Sequence, residues 1–339
     1  NFFGLHPHSE GWIFREWAPN ASAIYLIGDF CDWKTNNAYR LQQKDNGIWE
    51  IIFPQATLKH GDNYKLFVEW EFGSGFRIPA YAQRVIQDPQ TFLFSAQVWQ
   101  PEQPFEWTDD PFNFRFKHPL IYEAHVGMGQ EEEKVGSYPE FTEKVLPRIK
   151  EAGYNVIQLM AVQEHPYYGS FGYHVSNFFA PSSRFGTPEE LKTLINRAHE
   201  MGMAVIMDIV HSHAVKNEEE GLSRFDGTLD QYFYPGGRGF HSAWDSRCFD
   251  YGKREVMAFL LSNCRYWIEE FHLDGFRFDG ITSMLYTHHG LEKAFTSYHD
   301  YFDGSQDRNA LVYLMLANHL IHQIKPNAIT IAEDMSGFP

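Results

Sequence analysis

The heptapeptide D-G-F-R-F-D-G at Asp274–Gly280 has the pattern of a buried strand that ends in a carboxylate. Side chains two positions apart on a strand point to the same face, so Arg277 and Asp279 are expected to lie side by side. A guanidinium group beside a carboxyl group favours its ionised form. The heptapeptide therefore predicts an ionised carboxylate at a strand end, where it is able to attack an electrophilic carbon.

A second carboxylate follows a second apolar run, because Glu333 comes directly after Ala328–Ala332. Paired carboxylates are typical of enzymes that cleave glycosidic bonds, in which one group attacks the sugar and the other handles the proton. Each residue also has a structural interpretation. Arg277 and Asp279 could form an ion pair inside a barrel, and Glu333 could end a strand without a catalytic role.

Strand-like and helix-like segments alternate from Pro119 onwards. The predicted strands are Leu120–Val126, Asn155–Met160, Met203–Ile209, Leu273–Asp279 and Ala328–Glu333, and the predicted helices are Pro139–Ala152, a segment capped by Thr187 and ended by Gly202, Arg254–Phe271 and Asn309–Ile324. Five β–α units in succession predict a parallel sheet. Polar residues cluster where these strands end, which favours an α/β fold with a (β/α)8 TIM barrel, whose active site lies on that face. An open doubly wound sheet is the alternative, although no Gly-rich phosphate loop follows the first strand.

The first third of the sequence has an all-β pattern. Short β-rich runs between turn-forming residues are found at Trp12–Trp17, Ala23–Gly28, Ile48–Phe53 and Tyr64–Trp70. Regular spacing of this kind predicts a small β-sandwich. We therefore expect a sandwich over residues 1–105, a linker over 106–118, and the N-terminal part of a catalytic barrel over 119–339.

The composition restricts the class of ligand. Lys and Arg number 28 against 44 Asp and Glu, which gives a formal net charge of −16 at pH 7. Nucleic acids and anionic membranes require a basic face, so neither is expected as a partner. A neutral sugar polymer fits better, and 17% of the residues are aromatic, with planar rings able to stack on sugars.

Cysteine usage indicates the compartment. Cys31, Cys248 and Cys264 form no C-x-x-C pair, which argues against a disulfide framework and against a zinc site. The first ten residues lack a signal-peptide pattern, and no apolar run approaches the ~18 residues that a membrane-spanning helix needs. We expect a cytoplasmic protein, or a plastid protein if the source is a plant, with no metal and no cofactor.

The segment D-I-V-H-S-H at Asp208–His213 follows the third predicted strand of the barrel. In one interpretation, His213 binds a substrate hydroxyl group and Asp208 orients it. In the other, Asp208 caps a helix and the histidines lie on the surface; the segment alone does not separate the two. The H-x-H spacing is also common in metal sites, but no further Cys/His cluster completes one.

Several segments together resemble the α-amylase superfamily of glycoside hydrolases and transferases, and within it the 1,4-α-glucan branching enzymes. The segments are Y-Y-G-S-F-G-Y-H at 167–174, D-I-V-H-S-H at 208–213, D-G-F-R-F-D-G-I-T-S-M-L-Y at 274–286, Y-L-M-L-A-N-H at 313–319 and I-A-E-D at 331–334. Near the start, G-D-F at Gly28–Phe30 and Trp33 resemble the glycogen-binding β-sandwich that precedes the barrel in such enzymes. The resemblance covers essentially the whole sequence.

The resemblance implies two catalytic residues. Asp279 would be the nucleophile that forms a covalent glycosyl intermediate. Glu333 would protonate the departing oxygen and then deprotonate the incoming hydroxyl group, which requires a raised pKa. Arg277 would keep Asp279 ionised and oriented.

The resemblance also implies substrate contacts. Tyr173, Asp208 and His213 match positions around the sugar at the cleavage point. Trp33 and Trp70 are weaker candidates for a separate glucan site on the sandwich, and either could belong to the core instead. Ser212 stands where calcium-dependent amylases carry Asn, so their calcium site is not expected.

The implied activity is branching, in which an α-1,4 bond of glycogen, amylose or amylopectin is cut and the fragment is passed to a 6-hydroxyl group. Hydrolysis of the same bond is the first alternative, and glucan binding without catalysis is the second. The superfamily has a fourth signature with a His-Asp pair, which the residues after Glu333 do not contain. We therefore expect the later barrel strands and a C-terminal β-domain to follow Pro339.

Overall fold

The computed structural model describes residues 2–109, 112–115 and 117–338. Its N-terminal part consists of two antiparallel sheets. The strands are β1 (Gly4–His8), β2 (Gly11–Trp17), β3 (Ala21–Gly28), β4 (Gln42–Gln43), β5 (Ile48–Phe53), β6 (Asn63–Trp70), β7 (Gly73–Arg77), β8 (Val85–Gln87) and β9 (Phe94–Gln97). One sheet has the order β1-β2-β5-β4, and the other has the order β3-β6-β9-β8 with β7 paired to β6. The predicted sandwich is thus confirmed.

The two sheets pack against each other through the buried face of each, because side chains alternate between the core and the solvent along the strands. In β5, Trp49, Ile51 and Phe53 are buried while Ile52 is exposed, which is the period of two that a half-buried strand shows. The inner residues of both sheets belong to one hydrophobic cluster, in which the rings of Phe14 and Tyr64 meet edge to face.

The second part is built on five parallel strands in the order β10-β11-β14-β18-β19. The strands of this part are β10 (Ile121–Ala124), β11 (Val156–Leu159), β12 (Gln163–Glu164), β13 (Asn177–Pro181), β14 (Ala204–Ile209), β15 (His213–Val215), β16 (Phe240–His241), β17 (Ser246–Cys248), β18 (Gly275–Phe278) and β19 (Ile329–Ala332). The helices are α1 (Tyr138–Glu140), α2 (Leu146–Glu151), α3 (Pro188–Glu200), α4 (Arg254–Phe271), α5 (Ile281–Leu285) and α6 (Arg308–Ile324). Helices α3, α4 and α6 connect successive parallel strands, as in part of a (β/α)8 barrel.

Local signals account for several of these elements. Every residue of β14 is buried, as expected of a strand covered on both faces. Thr187 accepts a hydrogen bond from the backbone N–H of Glu190, and the Glu190 carboxylate accepts one from the backbone N–H of Thr187, which is the predicted capping box of α3.

One predicted element requires correction, and several short strands were not predicted. The predicted helix Pro139–Ala152 is interrupted by a π-helical turn at Phe141–Val145 between α1 and α2. Pro147 has no backbone N–H and cannot continue the regular bonding ladder there. The short strands β1, β7, β8 and β9 were not predicted, because three to five residues carry too weak a local pattern to indicate a strand.

The segment predicted as a linker packs against the barrel where it is described. Trp107 stacks on His272, and Asp109 accepts hydrogen bonds from the rings of His199 and His272. Residues 110, 111 and 116 of that segment, and the terminal residues 1 and 339 of the predicted domains, lie outside the described residues. Within the described part of the chain, no helix combines the length and apolar character needed to cross a bilayer.

Candidate active site

The parallel register brings the predicted catalytic residues to adjacent strand ends. Asp208 in β14 is paired with Arg277 in β18. Asp279 follows β18 and donates its backbone N–H to the carbonyl of Ile209, at 3.1 Å. Glu333 follows β19 and donates its backbone N–H to the carbonyl of Phe278, at 3.0 Å. These backbone bonds fix the polar side chains at the C-terminal edge of the sheet.

Arg277 lies among three carboxyl groups. Its Nη1 is 2.8 Å from Oδ2 of Asp208 and 3.3 Å from Oδ1 of Asp279. Its Nη2 is 2.9 Å from Oε1 of Glu333. Because one planar guanidinium group contacts both, the side chains of Asp279 and Glu333 lie close together at the same edge of the sheet. Asp279 is 14% exposed and Glu333 is 36% exposed, so both are open to a ligand at that edge.

The ionisation of Asp279 differs from the expectation. Its pKa is raised to about 7: burial is the largest cause, the charge of Glu333 and a hydrogen bond to it add to the rise, and Arg277 opposes it. Arg277 thus acts in the predicted direction, but burial outweighs it. At neutral pH the Asp279 carboxyl group is therefore protonated part of the time.

Asp208 is buried beneath Arg277 and Tyr173. Its Oδ2 accepts a hydrogen bond of 2.7 Å from the hydroxyl group of Tyr173. Burial raises the pKa of Asp208 to about 6, although Tyr173 and Arg277 lower it. Its Oδ1 has no partner among the described residues. A buried carboxylate oxygen without a partner is costly, which makes it a candidate acceptor for a ligand hydroxyl group.

The ring of His213 is engaged by the protein on both nitrogens. Its Nε2 lies 2.8 Å from the carbonyl of Tyr173, and its Nδ1 lies 2.8 Å from Oγ of Ser212. A carbonyl only accepts, so Nε2 carries the proton. Burial lowers the pKa of His213 to about 3, so the ring is neutral. His213 thus holds Tyr173 in place, and its predicted contact with a sugar stays a prediction.

Gly280 was missed by the sequence reasoning. Its backbone N–H donates to Oε2 of Glu333, at 2.9 Å, and its φ of 65° lies in the left-handed region that glycine favours. A Cβ atom at this position would lie 2.8 Å from Oγ of Ser212 and 3.0 Å from the ring of Trp244. The available signal was the glycine that ends the heptapeptide, directly after Asp279.

Two family models match this chain. Residues 2–89 match carbohydrate-binding module 48, described as the isoamylase N-terminal domain. Residues 128–339 match the model described as alpha amylase, catalytic domain. The chain belongs to the α-amylase family.

Curated relatives of this α-amylase family chain are named 1,4-alpha-glucan-branching enzymes. The relative from Dictyostelium discoideum is 48% identical over 99% of this chain and 50% of its own length. That from Arabidopsis thaliana, 1,4-alpha-glucan-branching enzyme 2-2, chloroplastic/amyloplastic, is 50% identical over 99% of this chain and 42% of its own length. The relative from Felis catus is 49% identical over 99% of this chain and 49% of its own length. The chain thus spans about half the length of the curated relatives it matches.

Solved structures of the same fold have lower sequence identity. The catalytic module of the glycogen-degrading pneumococcal virulence factor SpuA has a TM-score of 0.75 and 19% identity, covering 100% of this chain and 51% of that one. A GBS pullulanase, SAP, in complex with maltotetraose has a TM-score of 0.72 and 21% identity. The match covers 100% of this chain and 46% of the pullulanase chain. These likenesses support the α-amylase fold of this chain.

The two tryptophans predicted on the sandwich do not form one site. Trp33 donates its backbone N–H to the carbonyl of Gly28, at one end of β3. Trp70 is paired with Ala21 at the other end of that strand. The ring of Trp70 is covered by Arg77 at 5.2 Å and by the backbone of Gly227. The two tryptophans therefore lie at opposite ends of β3, and the ring of Trp70 packs between the sandwich and the barrel.

Trp33 adjoins an open groove of the sandwich. The ring is 38% exposed and borders a cleft of ≈ 520 Å³ that also includes Asn63, Phe76 and Leu93. Its indole N–H donates to Oδ1 of Asp29, at 3.0 Å, which fixes the orientation of the ring. This groove has the aromatic and polar side chains that a sugar site requires.

The H-x-H pair does not form a metal site. The ring of His211 is buried between the hydroxyl group of Tyr313 and Oδ1 of Asn263. Across the described residues, no group of three or more His, Cys, Asp and Glu side chains is arranged to hold a metal ion. His211 anchors the D-I-V-H-S-H segment against α4 and α6.

Proposed function

We propose that this chain supplies the nucleophile and the acid/base of a glucan-branching reaction. An oxygen of the Asp279 carboxylate attacks the anomeric carbon of an α-1,4-linked glucose unit, and the bond to the glycosidic oxygen breaks. Glu333 gives its proton to that oxygen, and the fragment stays on Asp279 as a β-glycosyl ester. Glu333 then accepts the proton of an incoming 6-hydroxyl group, whose oxygen displaces Asp279 and forms an α-1,6 branch.

The contact of Arg277 with both Asp279 and Glu333 is the observation that carries this proposal. It holds the two carboxyl groups on one side of the sheet edge. The charge of Glu333 and a hydrogen bond to it help raise the pKa of Asp279, so the two carboxyl groups are close enough to act on one glycosidic bond. The names of the relatives support branching as the outcome, and the activity of the whole protein is proposed from them.

Tyr173, Asp208 and His213 are proposed to position the sugar at the cleavage point. The free Oδ1 of Asp208 accepts a sugar hydroxyl group, while the Tyr173 ring, held by Asp208 and His213, stacks on the sugar. Trp33 is proposed to bind a glucan chain in the sandwich groove, and Trp70 is proposed only as a packing residue.

The remaining features of the proposal concern partners, location and domain limits. We propose an α-1,4-glucan as the partner and neither a nucleic acid nor a membrane. The cytosol is the proposed location, or the plastid if the source is a plant, and the free state of Cys31, Cys248 and Cys264 supports a reducing compartment. The domain limits 1–105, 106–118 and 119–339 remain proposals.

The test is Asp279→Asn in the whole protein, with amylose as the substrate. Removal of the nucleophile should lower the rate by at least about 10³-fold, because no covalent intermediate forms. Exposed Asp45→Asn on the sandwich is the matched control and should keep the wild-type rate. Linkage analysis of the wild-type products should show new 1,6 bonds.

Three results would separate the alternatives. A near wild-type rate in Asp279→Asn excludes its role as nucleophile. Free maltooligosaccharides without new 1,6 bonds identify a hydrolase. Glycogen binding without turnover in the wild-type protein identifies a glucan-binding protein.

A further inference from the structure

The hairpin of β16 and β17 carries Trp244 beside the candidate active site. Its strand β17 pairs with β15, in which His213 lies opposite Cys248. The hairpin is held closed by a hydrogen bond of 2.7 Å from the hydroxyl group of Ser246 to the carbonyl of Trp244. The tip is thus fixed to the D-I-V-H-S-H segment.

The Trp244 ring is supported on several sides. It stacks on the ring of His241, with centroids 3.8 Å apart and planes 9° apart. The ring of His213 lies 4.8 Å away, and the backbone of Gly280 is so close that a Cβ atom there would approach Trp244 to 3.0 Å. Trp244 remains half-buried, so part of the indole is open to solvent.

Gly280 connects this ring to the acid/base. The backbone N–H of Gly280 donates to Glu333, and the preceding residue is Asp279. The indole therefore lies beside the glycine turn whose N–H contacts the proposed proton donor. In a retaining mechanism, the proton donor faces the departing oxygen and hence the glucose unit beyond the cleaved bond.

We propose that Trp244 is a stacking platform for the glucose unit on the Glu333 side of the cleaved bond. This inference rests on the proposed function and adds a substrate-binding residue to it. The same position receives the leaving part of the donor chain in the first step and the acceptor chain in the second. Trp244 therefore contributes to the choice of acceptor.

The physical basis is a rigid planar surface at a sugar-binding edge. A sugar presents a face of C–H groups that a flat aromatic ring covers well, and a ring already held by His241 loses little conformational freedom on binding. Within the described part of the chain, the indole N–H of Trp244 has no protein acceptor, so it remains a donor for a sugar hydroxyl group.

The experiment compares Trp244→Ala, Trp244→Leu and Trp244→Phe in the whole protein. Trp244→Ala should raise KM for amylose about ten-fold with a smaller change in kcat, because the planar surface under the sugar is lost. Trp244→Leu keeps apolar bulk without a planar ring and should behave like Trp244→Ala. Trp244→Phe keeps a ring and should recover most of the lost affinity.

Trp107→Ala is the matched control. Trp107 is also half-buried and stacks on a histidine, His272, with centroids 3.8 Å apart and planes 12° apart. His272 precedes β18, so this pair lies at the opposite end of the sheet from the active site. Trp107→Ala should leave KM unchanged.

A binding measurement separates this inference from the proposed function. Maltoheptaose is titrated calorimetrically into Asp279→Asn protein that also carries Trp33→Ala, with and without Trp244→Ala. Binding that weakens about ten-fold on loss of Trp244 supports the platform. Equal binding of maltoheptaose with and without Trp244→Ala, or a wild-type KM in Trp244→Leu, contradicts the role of Trp244 as a platform and does not affect the proposed function. No binding by the parent protein overturns the proposed function and the platform with it.

Discussion

Arg277 has to balance three carboxyl groups with one positive charge. Burial lowers the pKa of Arg277, but the charges of Asp208, Glu333 and Asp279 raise it, and the net change is upward. In return, Arg277 lowers the pKa values of Asp279 and Asp208, which burial raises. The guanidinium group therefore keeps the pKa of Asp279, the proposed nucleophile, low enough for this carboxyl group to be partly ionised at neutral pH.

Removal of this charge should shift the pH dependence of catalysis. In Arg277→Gln, the pKa of Asp279 should rise above its present value of about 7, because the charge that lowers it is gone. The nucleophile must be ionised, so the acidic limb of the profile of kcat/KM against pH should move to higher pH. Arg277→Lys keeps the charge and should leave that limb near its wild-type position, with a lower rate because Lys cannot contact two carboxylates with one rigid fork. Identical acidic limbs in both variants would contradict this account.

The turn between β18 and α5 is the element that joins the two proposed catalytic residues, Asp279 and Glu333. Gly280 adopts φ 65° and ψ 33° as the N-cap of α5, directly after Asp279. Its N–H supports Glu333, and its missing Cβ makes room for Ser212 and Trp244. Strand, turn and helix therefore depend on glycine at this one position.

Gly280→Ala should damage catalysis more than stability. The left-handed conformation costs a non-glycine residue roughly 1–2 kcal/mol, and the new methyl group displaces Ser212, Trp244 or the turn itself. A shift of ~1 Å in the groups that hold Glu333 should lower kcat by at least about ten-fold. Activity and chemical unfolding are measured on the same preparations.

Gly153→Ala provides the comparison for this turn. Gly153 has φ 89°, but a Cβ atom there would meet nothing within 4 Å. The substitution should cost the same roughly 1–2 kcal/mol of stability through the backbone alone and leave kcat unchanged. Equal effects of both substitutions on kcat would show that crowding at Gly280 does not matter.

The elements that the sequence predicts well are those with strong local patterns. The apolar run of β14 and the capping box of α3 fix their own structure, and the observed bounds lie within one residue of the predicted strand. Strand β7, with the sequence G-S-G-F-R, exists because it pairs with β6, and no local pattern shows that partner. The π-helical turn before Pro147 likewise depends on a backbone bond that only the folded chain reveals.

The residues of the candidate site also fall into two groups, those that the sequence predicts and those that only the folded chain brings together. Asp279 and Glu333 end predicted strands, so topology alone places them together. Trp244 comes from a distant hairpin, and its contact with Gly280 is a tertiary contact without a sequence signal. The engagement of both ring nitrogens of His213 is equally invisible in the sequence.

At the scale of the whole molecule, the sandwich is bound to the barrel by buried polar contacts. Arg77 donates to the carbonyls of Arg224 and Phe225, and Lys65 pairs with Glu219 at 2.6 Å. The side chain of Trp70 lies beneath Arg77 in this contact. Such contacts leave the hydrophobic cluster continuous across the two parts.

Glu16 is a buried acid next to this contact. It has no exposed surface, and its two carboxyl oxygens accept backbone N–H groups of Trp17 and Ala80 at 3.0 and 2.9 Å. The ring of Trp17 meets Tyr232 of the barrel part edge to face. Burial raises the pKa of Glu16 to about 8, although the two N–H groups lower it.

This pKa links the stability of the molecule to pH. The folded pKa is above the unfolded value of about 4.3, so the folded chain binds the proton more tightly. The stabilisation is complete below the unfolded pKa and is lost as pH rises towards about 8. The wild-type free energy of unfolding should therefore fall between pH 5 and pH 8 by up to ~1.4 kcal/mol per pH unit from this group.

Glu16→Gln should remove this part of the pH dependence, because an amide does not titrate. The variant will be less stable at pH 5 if its NH₂ group faces a backbone N–H, but the slope with pH does not depend on that loss. Urea unfolding at pH 5, 6, 7 and 8 gives the slope for the wild type, for Glu16→Gln and for the exposed control Glu10→Gln. The wild type and Glu10→Gln should lose stability together as pH rises, and the Glu16→Gln curve should be flatter. Three parallel curves would show that Glu16 is ionised in the folded chain, and that its two backbone donors outweigh its burial.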